Sequence, residues 1–289
     1  MAYLCHVVTL VCLYASMAMS LNVVVGFAGQ PNIGHAAFVC VGAYVSAILS
    51  TSFGIPPLLC AVLAAIIGSA VGAVASAPTM RLKGDYLALA TFGAAVVVHG
   101  LARNWVALTH GPMGIPNIPP VSVGTIVLSS PETFCAAAAA YTAGTFLFCR
   151  MIVNSPFGLT LRAIREDETV VRAVGTTTSN YKVLAFAVSG AIAGMAGSLF
   201  AHYFAFIDPS SFTPMDSVVL LLMVALGGLG SLSGSVLAAL VLIAFPEALR
   251  FVGIPSAVLG PIRQMIYGAL LVVLMLWRPQ GLLGEYRWG

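Results

Sequence analysis

An all-α, polytopic membrane protein with about nine spanning helices is the fold class this sequence predicts, and three observations predict it. Charged residues make up only 7% of the 289, hydrophobic residues make up 60%, and the mean hydropathy is +1.02. A soluble domain carries roughly a quarter charged residues, so this composition cannot cover a water-facing surface and most of the exterior must face lipid. The apolar residues also lie in long runs, and Lys and Arg collect on one set of connections between those runs. The net charge of +3 is too small and dispersed for a nucleic-acid partner. The six cysteines, none in C-x-x-C spacing, lie in apolar runs and read as small core residues.

A spanning helix needs about 20 mostly apolar residues, and only a helix satisfies its own backbone in lipid. The runs are 4–26, 33–52, 57–80, 86–103, 132–150, 183–206, 216–231, 234–252 and 258–277. The first lacks a basic leader and an A-x-A exit, so it reads as a retained span. The region 216–252 is either two short spans or one broken pair that does not fully cross. With the N-terminus outside, one side receives Arg81, Lys83, Arg150, Arg162, Arg165, Arg172, Lys182, Arg278 and Arg287. The other receives Arg103, Arg250 and Arg263. The positive-inside rule then places the 151–182 loop and the C-terminus in the cytoplasm, and the Gly- and Pro-rich loop 104–131 outside. The whole chain, 1–289, reads as one transmembrane domain.

The 151–182 loop gathers Arg162, Arg165, Glu166, Asp167, Glu168 and Arg172 in SPFGLTLRAIREDETVVRAVG (155–175). Ser155 before Pro156 is a helix start, and Gly175 a stop. Read as one helix, it carries Ala163, Ile164, Val170, Val171 and Val174 on one face. Arg162, Arg165, Glu166, Thr169 and Arg172 line the other, with Arg162–Glu166 and Glu168–Arg172 spaced to pair. Such a helix either lies on lipid headgroups or docks a cytosolic partner. The short apolar stripe and the mixed charge favour docking, since a membrane-seeking helix is more uniformly basic.

Polar residues inside spans are costly and usually face a bundle interior. Asn22, Gln30, Asn32 and His35 cluster about the Gly-broken junction GFAGQPNIGH, and a second break, GGLGSLSG (227–234), holds Gly227, Gly228 and Gly230. Paired Gly-interrupted segments point to a transport path or gate, although small residues also serve close packing. GSAVGAVASA (68–77) reads as packing. The carboxylates all lie in loops or near span ends, which weighs against an ion-coupled carrier. No P-loop, metal-type His cluster or hydrolase elbow is present, so neither enzyme chemistry nor a cofactor is expected in this chain.

Six stretches in order carry a family resemblance: LNVVVGFAGQPNIGHAAFVCVGAY (21–44), RLKGDYLALATFG (81–93), LTHGPMGIP (108–116), the charged loop followed by YKVLAF, SFTPMDSVVLLLMVALGGLGSLSG (211–234) and RPQGLLG (278–284). The chain resembles the M-type permease subunits of branched-chain amino-acid ABC importers over nearly its whole length. That resemblance implies a permease fold in a bacterial inner membrane, carrying leucine, isoleucine, valine or a related small solute such as urea or a short amide. It also implies two cytosolic ATP-binding subunits that use the ATP, a second, distinct permease and a soluble solute-binding protein outside. Residues 162–175 would be the ATPase-coupling segment, with Val170 and Val171 where the general importer pattern has alanines. Val96 and Val219 stand where the family usually has Glu, and His99 where Arg is common.

Overall fold

Apolar runs punctuated by Pro, Ser and Gly become helices in the computed structural model, which describes residues 1–82, 84–123, 126–128, 130–249, 262, 265–270, 272–273, 276 and 280–284. Helix α1 (Ala2–Asn22) continues as a π-helical turn, Val23–Phe27. Then come α2 (His35–Ser52), α3 (Pro57–Ala75), a 3-10 turn at Ala77–Met80 and α4 (Asp85–Asn104). The long connection holds α5 (Val106–Thr109), β1 (Ile115–Pro116), β2 (Ser122–Val123) and β3 (Ile126–Val127). Next are α6 (Pro131–Val153), α7 (Pro156–Glu166), α8 (Glu168–Ala173) and α9 (Thr178–Phe204). The strand β4 (Phe206–Ile207) precedes α10 (Pro214–Gly227) and α11 (Leu232–Leu249). Strand β4 pairs antiparallel with β1, and β2 with β3, tying the long connection to the end of α9.

Among the described residues, seven helical segments are long and apolar enough to cross a membrane, and Leu232–Phe245 is a shorter apolar helix. The protein is therefore an all-α polytopic membrane protein. Half of the expected ninth run, 258–277, falls outside the described residues, and the described half, 262, 265–270, 272–273 and 276, is helical. The described part of the 216–252 region, up to 249, is two helices about a turn at 228–231. Helix α11 runs antiparallel to α1: Asn22 Nδ2 donates to Ser235 Oγ at 2.8 Å, and Tyr3 Oη to Glu247 Oε1 at 3.2 Å near their other ends.

Helices α1, α2 and α9 form the buried centre, while α3, α4 and α6 turn most of their surface outward. Leu13, Met17, Leu21, Phe38, Phe186, Phe212 and Met223 fill the core between them. Close approach needs glycine here. A Cβ on Gly194 would stand 2.5 Å from the Ala64 carbonyl oxygen, and one on Gly68 2.4 Å from that of Gly190. These contacts place the 68–77 run in packing between α3 and α9.

Candidate functional site

The charged loop is two helices, not one, because Asp167 breaks it. Its backbone is extended, and its Oδ1 accepts from Thr169 N at 2.7 Å and Val170 N at 3.3 Å, capping α8. Ser155 caps α7 ahead of Pro156 as expected, and Gly175 follows α8 with φ +86°. The break divides the expected apolar face. Leu161, Ile164 and Val171 are buried, but Ala163, Val170 and Val174 are exposed. No Arg162–Glu166 ion pair forms; the Arg162 guanidinium carbon instead lies 5.4 Å from the Phe27 ring centroid, a cation–π contact.

Arg165 likewise turns inward. Its Nη1 donates to Gly26 O, in the π-helical turn that ends α1. That carbonyl belongs to the last turn, where intrahelical donors run out and a cation is favoured. The Arg165 stem packs on Gly29 (φ +64°), where a Cβ would stand 2.7 Å from Arg165 Cγ. Gly230 (φ +83°) flanks the same guanidinium. Asn22 joins the two glycine breaks: its Nδ2 donates to Ser231 O at 2.9 Å, and its Oδ1 accepts from Gly230 N at 2.9 Å. The structure thus brings the first break, the second break and the charged loop into one cluster. A π-helical turn at this junction is a common mark of functional sites.

The remaining candidates divide. Gln30 folds onto its own turn, Nε2 donating to Ala28 O at 3.2 Å. Asn32 and His35 lie deeper, where His35 Nε2 meets Ser20 Oγ at 2.8 Å and the Ala36 N–H donates to Ser217 Oγ at 2.9 Å. Gly227 and Gly228 serve a different contact. Leu282 N donates to Leu226 O at 2.8 Å and Leu283 N to Gly227 O at 3.0 Å, so these two residues satisfy carbonyls at the end of α10. Val96 is exposed on α4, Val219 packs on the core, and His99 Nδ1 is 3.3 Å from Phe212 O.

Lys182 was not foreseen as part of the site. It is 2% exposed at the start of α9, and its Nζ lies 2.8 Å from Glu168 Oε1 and 3.5 Å from Thr79 O. The same Glu168 oxygen accepts from Arg172 Nη2 at 2.6 Å and Thr178 Oγ1 at 2.9 Å. Burial alone would raise the Glu168 carboxyl, but hydrogen bonds from Lys182 and Thr178 and the charges of Lys182 and Arg172 outweigh it and hold the carboxyl below its ordinary range. Helix α8 is thereby locked to α9 and to the α3–α4 connection. One Lys at the head of an apolar run, fourteen residues after a Glu, is the only trace this leaves in the sequence.

Residues 3–275 match the family model described as branched-chain amino acid transport system, permease component. The high-affinity branched-chain amino acid transport system permease protein LivM of Salmonella typhimurium is 33% identical, over 96% of this chain and 69% of its own. LivM of Escherichia coli shows the same identity and coverage. The LivH permease protein of Salmonella typhimurium is 27% identical, over 96% of this chain and 93% of its own. No solved structure matches the chain. With a family match across nearly every span and the glycine breaks gathered on a charged loop, the chain belongs to the family of permease components of branched-chain amino acid transport systems.

Proposed function

We propose that this chain is the membrane-spanning permease subunit of an ABC importer that carries leucine, isoleucine and valine across a bacterial inner membrane. In this reading the N-terminus lies outside and the C-terminus in the cytoplasm, as the Lys and Arg distribution favours. Two cytosolic ATP-binding subunits dock on α7–α8 and a second permease, distinct from this one, completes the pathway. A soluble binding protein delivers the solute from outside. The names of the relatives support the solute class, since LivM and LivH are both named for branched-chain amino acid transport.

One observation carries the coupling role: a surface loop reaches, through Arg165, the backbone of the broken first helix. Motion imposed on α7 by a partner would reach Gly26 and, through Asn22 and Gly230, the second break. The outward faces of α7 and α8 also suit a protein partner. Val170 and Val174 are 59% and 76% exposed beside Arg172, in a connection outside the spans. Apolar side chains flanked by charge fit a cleft in a protein.

Val170→Glu combined with Val174→Glu tests the docking face. Charge placed where apolar contact is expected should reduce ATPase co-purification about tenfold or more. Recovery of the ATP-binding subunits at wild-type levels would mean that α8 rests on lipid and does not dock a partner.

A further inference from the structure

His35 and Asn32 stand three residues apart in the segment that re-enters the bundle between α1 and α2, and both are fully buried. A Ser hydroxyl has one proton, and Ser20 Oγ donates it to Met17 O at 2.7 Å. Assigning that proton to Met17 O makes Ser20 Oγ, 2.8 Å from His35 Nε2, the acceptor of a hydrogen on Nε2 of the neutral ring. Nδ1 is left as the lone-pair acceptor, with no hydrogen-bond partner among the described residues. The Asn32 amide is oriented the same way. Its Oδ1 accepts the Gly34 N–H at 2.9 Å, which turns Nδ2 away, and Nδ2 too has no partner among the described residues. Buried polar groups are nearly always satisfied, so an acceptor and a donor left over three residues apart mark a place where a polar group from outside the chain fits.

We propose that His35 Nδ1 and Asn32 Nδ2 receive the polar head of the solute as it passes: Nδ1 accepts an N–H of the α-ammonium and Nδ2 donates to an α-carboxylate oxygen. This rests on the transport reading above. An α-amino acid zwitterion presents an N–H donor and an oxygen acceptor on neighbouring atoms, which is the complement of this pair. His35 is also the first residue of the 18-residue helix α2, whose positive end favours the carboxylate. Phe38 packs edge-on against the imidazole, ring centroids 5.4 Å apart, and holds it in place. Both contacting groups are neutral. A pathway must bind firmly enough to admit a solute and weakly enough to release it, and a full counter-ion at this depth would hold the zwitterion too long.

Two substitutions at one position separate this role from packing. In His35→Gln the longer amide still reaches Ser20 but leaves no acceptor at the Nδ1 position. In His35→Asn the shorter amide keeps an acceptor near Nδ1 and loses Ser20. With the complete importer in proteoliposomes and labelled leucine as the probe, His35→Gln should cut initial uptake about tenfold or more, and His35→Asn by no more than roughly threefold. Both should co-purify with the ATP-binding subunits. Uptake by the Gln variant equal to or better than that of the Asn variant would make the Ser20 bond the purpose of His35 and overturn the proposal. Asn32→Asp gives an independent result, because it keeps Oδ1 for Gly34 and removes the Nδ2 hydrogens. Wild-type uptake in that variant also overturns the proposal, and loss of uptake in a variant that still co-purifies with the ATP-binding subunits supports it. If the unmodified importer takes up no leucine, the transport reading falls as well.

Discussion

Lys182 shows how one residue can bind a surface loop to a membrane bundle. Its ammonium is out of water, and that is tolerable only because Glu168 lies 2.8 Å away. Replacing it with Met keeps the stem's packing but leaves Glu168 without its buried partner. Lys182→Met should cost about 1.5–3 kcal/mol of stability, the range for hydrogen bonds to charged groups. The pH dependence has a definite sign. Glu168 titrates below its ordinary value of 4.5 when folded, so its stabilisation is fully present above that value and is lost as pH falls through the folded one. Thermal unfolding of the detergent-solubilised protein across that range should show a steeper acid decline in wild type than in Lys182→Met. Identical declines would mean that the pair contributes nothing. No pattern of neighbours announces this contact, because Glu168 and Lys182 meet only after α8 and α9 have folded.

At the level of elements, much was legible and the reasons are physical. Hydropathy runs located the spans because lipid demands a continuous apolar helix, and Ser155–Pro156 marked α7 because an N-cap and a fixed φ start helices. The break at Asp167 was missed. Helical spacing across it suggested one stripe, while the Asp side chain bonding its own downstream N–H groups ended the helix. For the same reason Val170 and Val174 face outward where a continuous helix would have turned them in. The glycine contacts between α3 and α9 give a clean test of packing. Gly194→Ala forces a Cβ against the Ala64 carbonyl and should destabilise the protein by about 1–3 kcal/mol. Gly144→Ala, in α6 with nothing within 4 Å, should be neutral or stabilising by up to about 1 kcal/mol. Equal unfolding temperatures for the two variants would remove glycine from the account of how these helices meet.

At the level of the whole molecule, both glycine breaks and the charged loop were visible as separate features, but their convergence was not. Hydropathy says which residues are in lipid and nothing about which polar break touches which. The direction of Arg165 was equally hidden, since a helical wheel cannot tell a solvent-facing Arg from one that crosses to a neighbouring backbone. Its contact with Gly26 O ties the charged loop to the end of α1, and the proposed coupling runs through it. The most direct test is the number of leucine molecules imported per ATP hydrolysed by the reconstituted importer carrying Arg165→Met. Methionine keeps an apolar stem against Gly29 and removes the guanidinium. The ATP-binding subunits should still assemble and hydrolyse ATP, while leucine imported per ATP should fall by about tenfold, since a charge-assisted hydrogen bond is worth more than the roughly 1.4 kcal/mol that this ratio represents. An unchanged ratio would mean that the loop moves the gate without Arg165 and would contradict the coupling account.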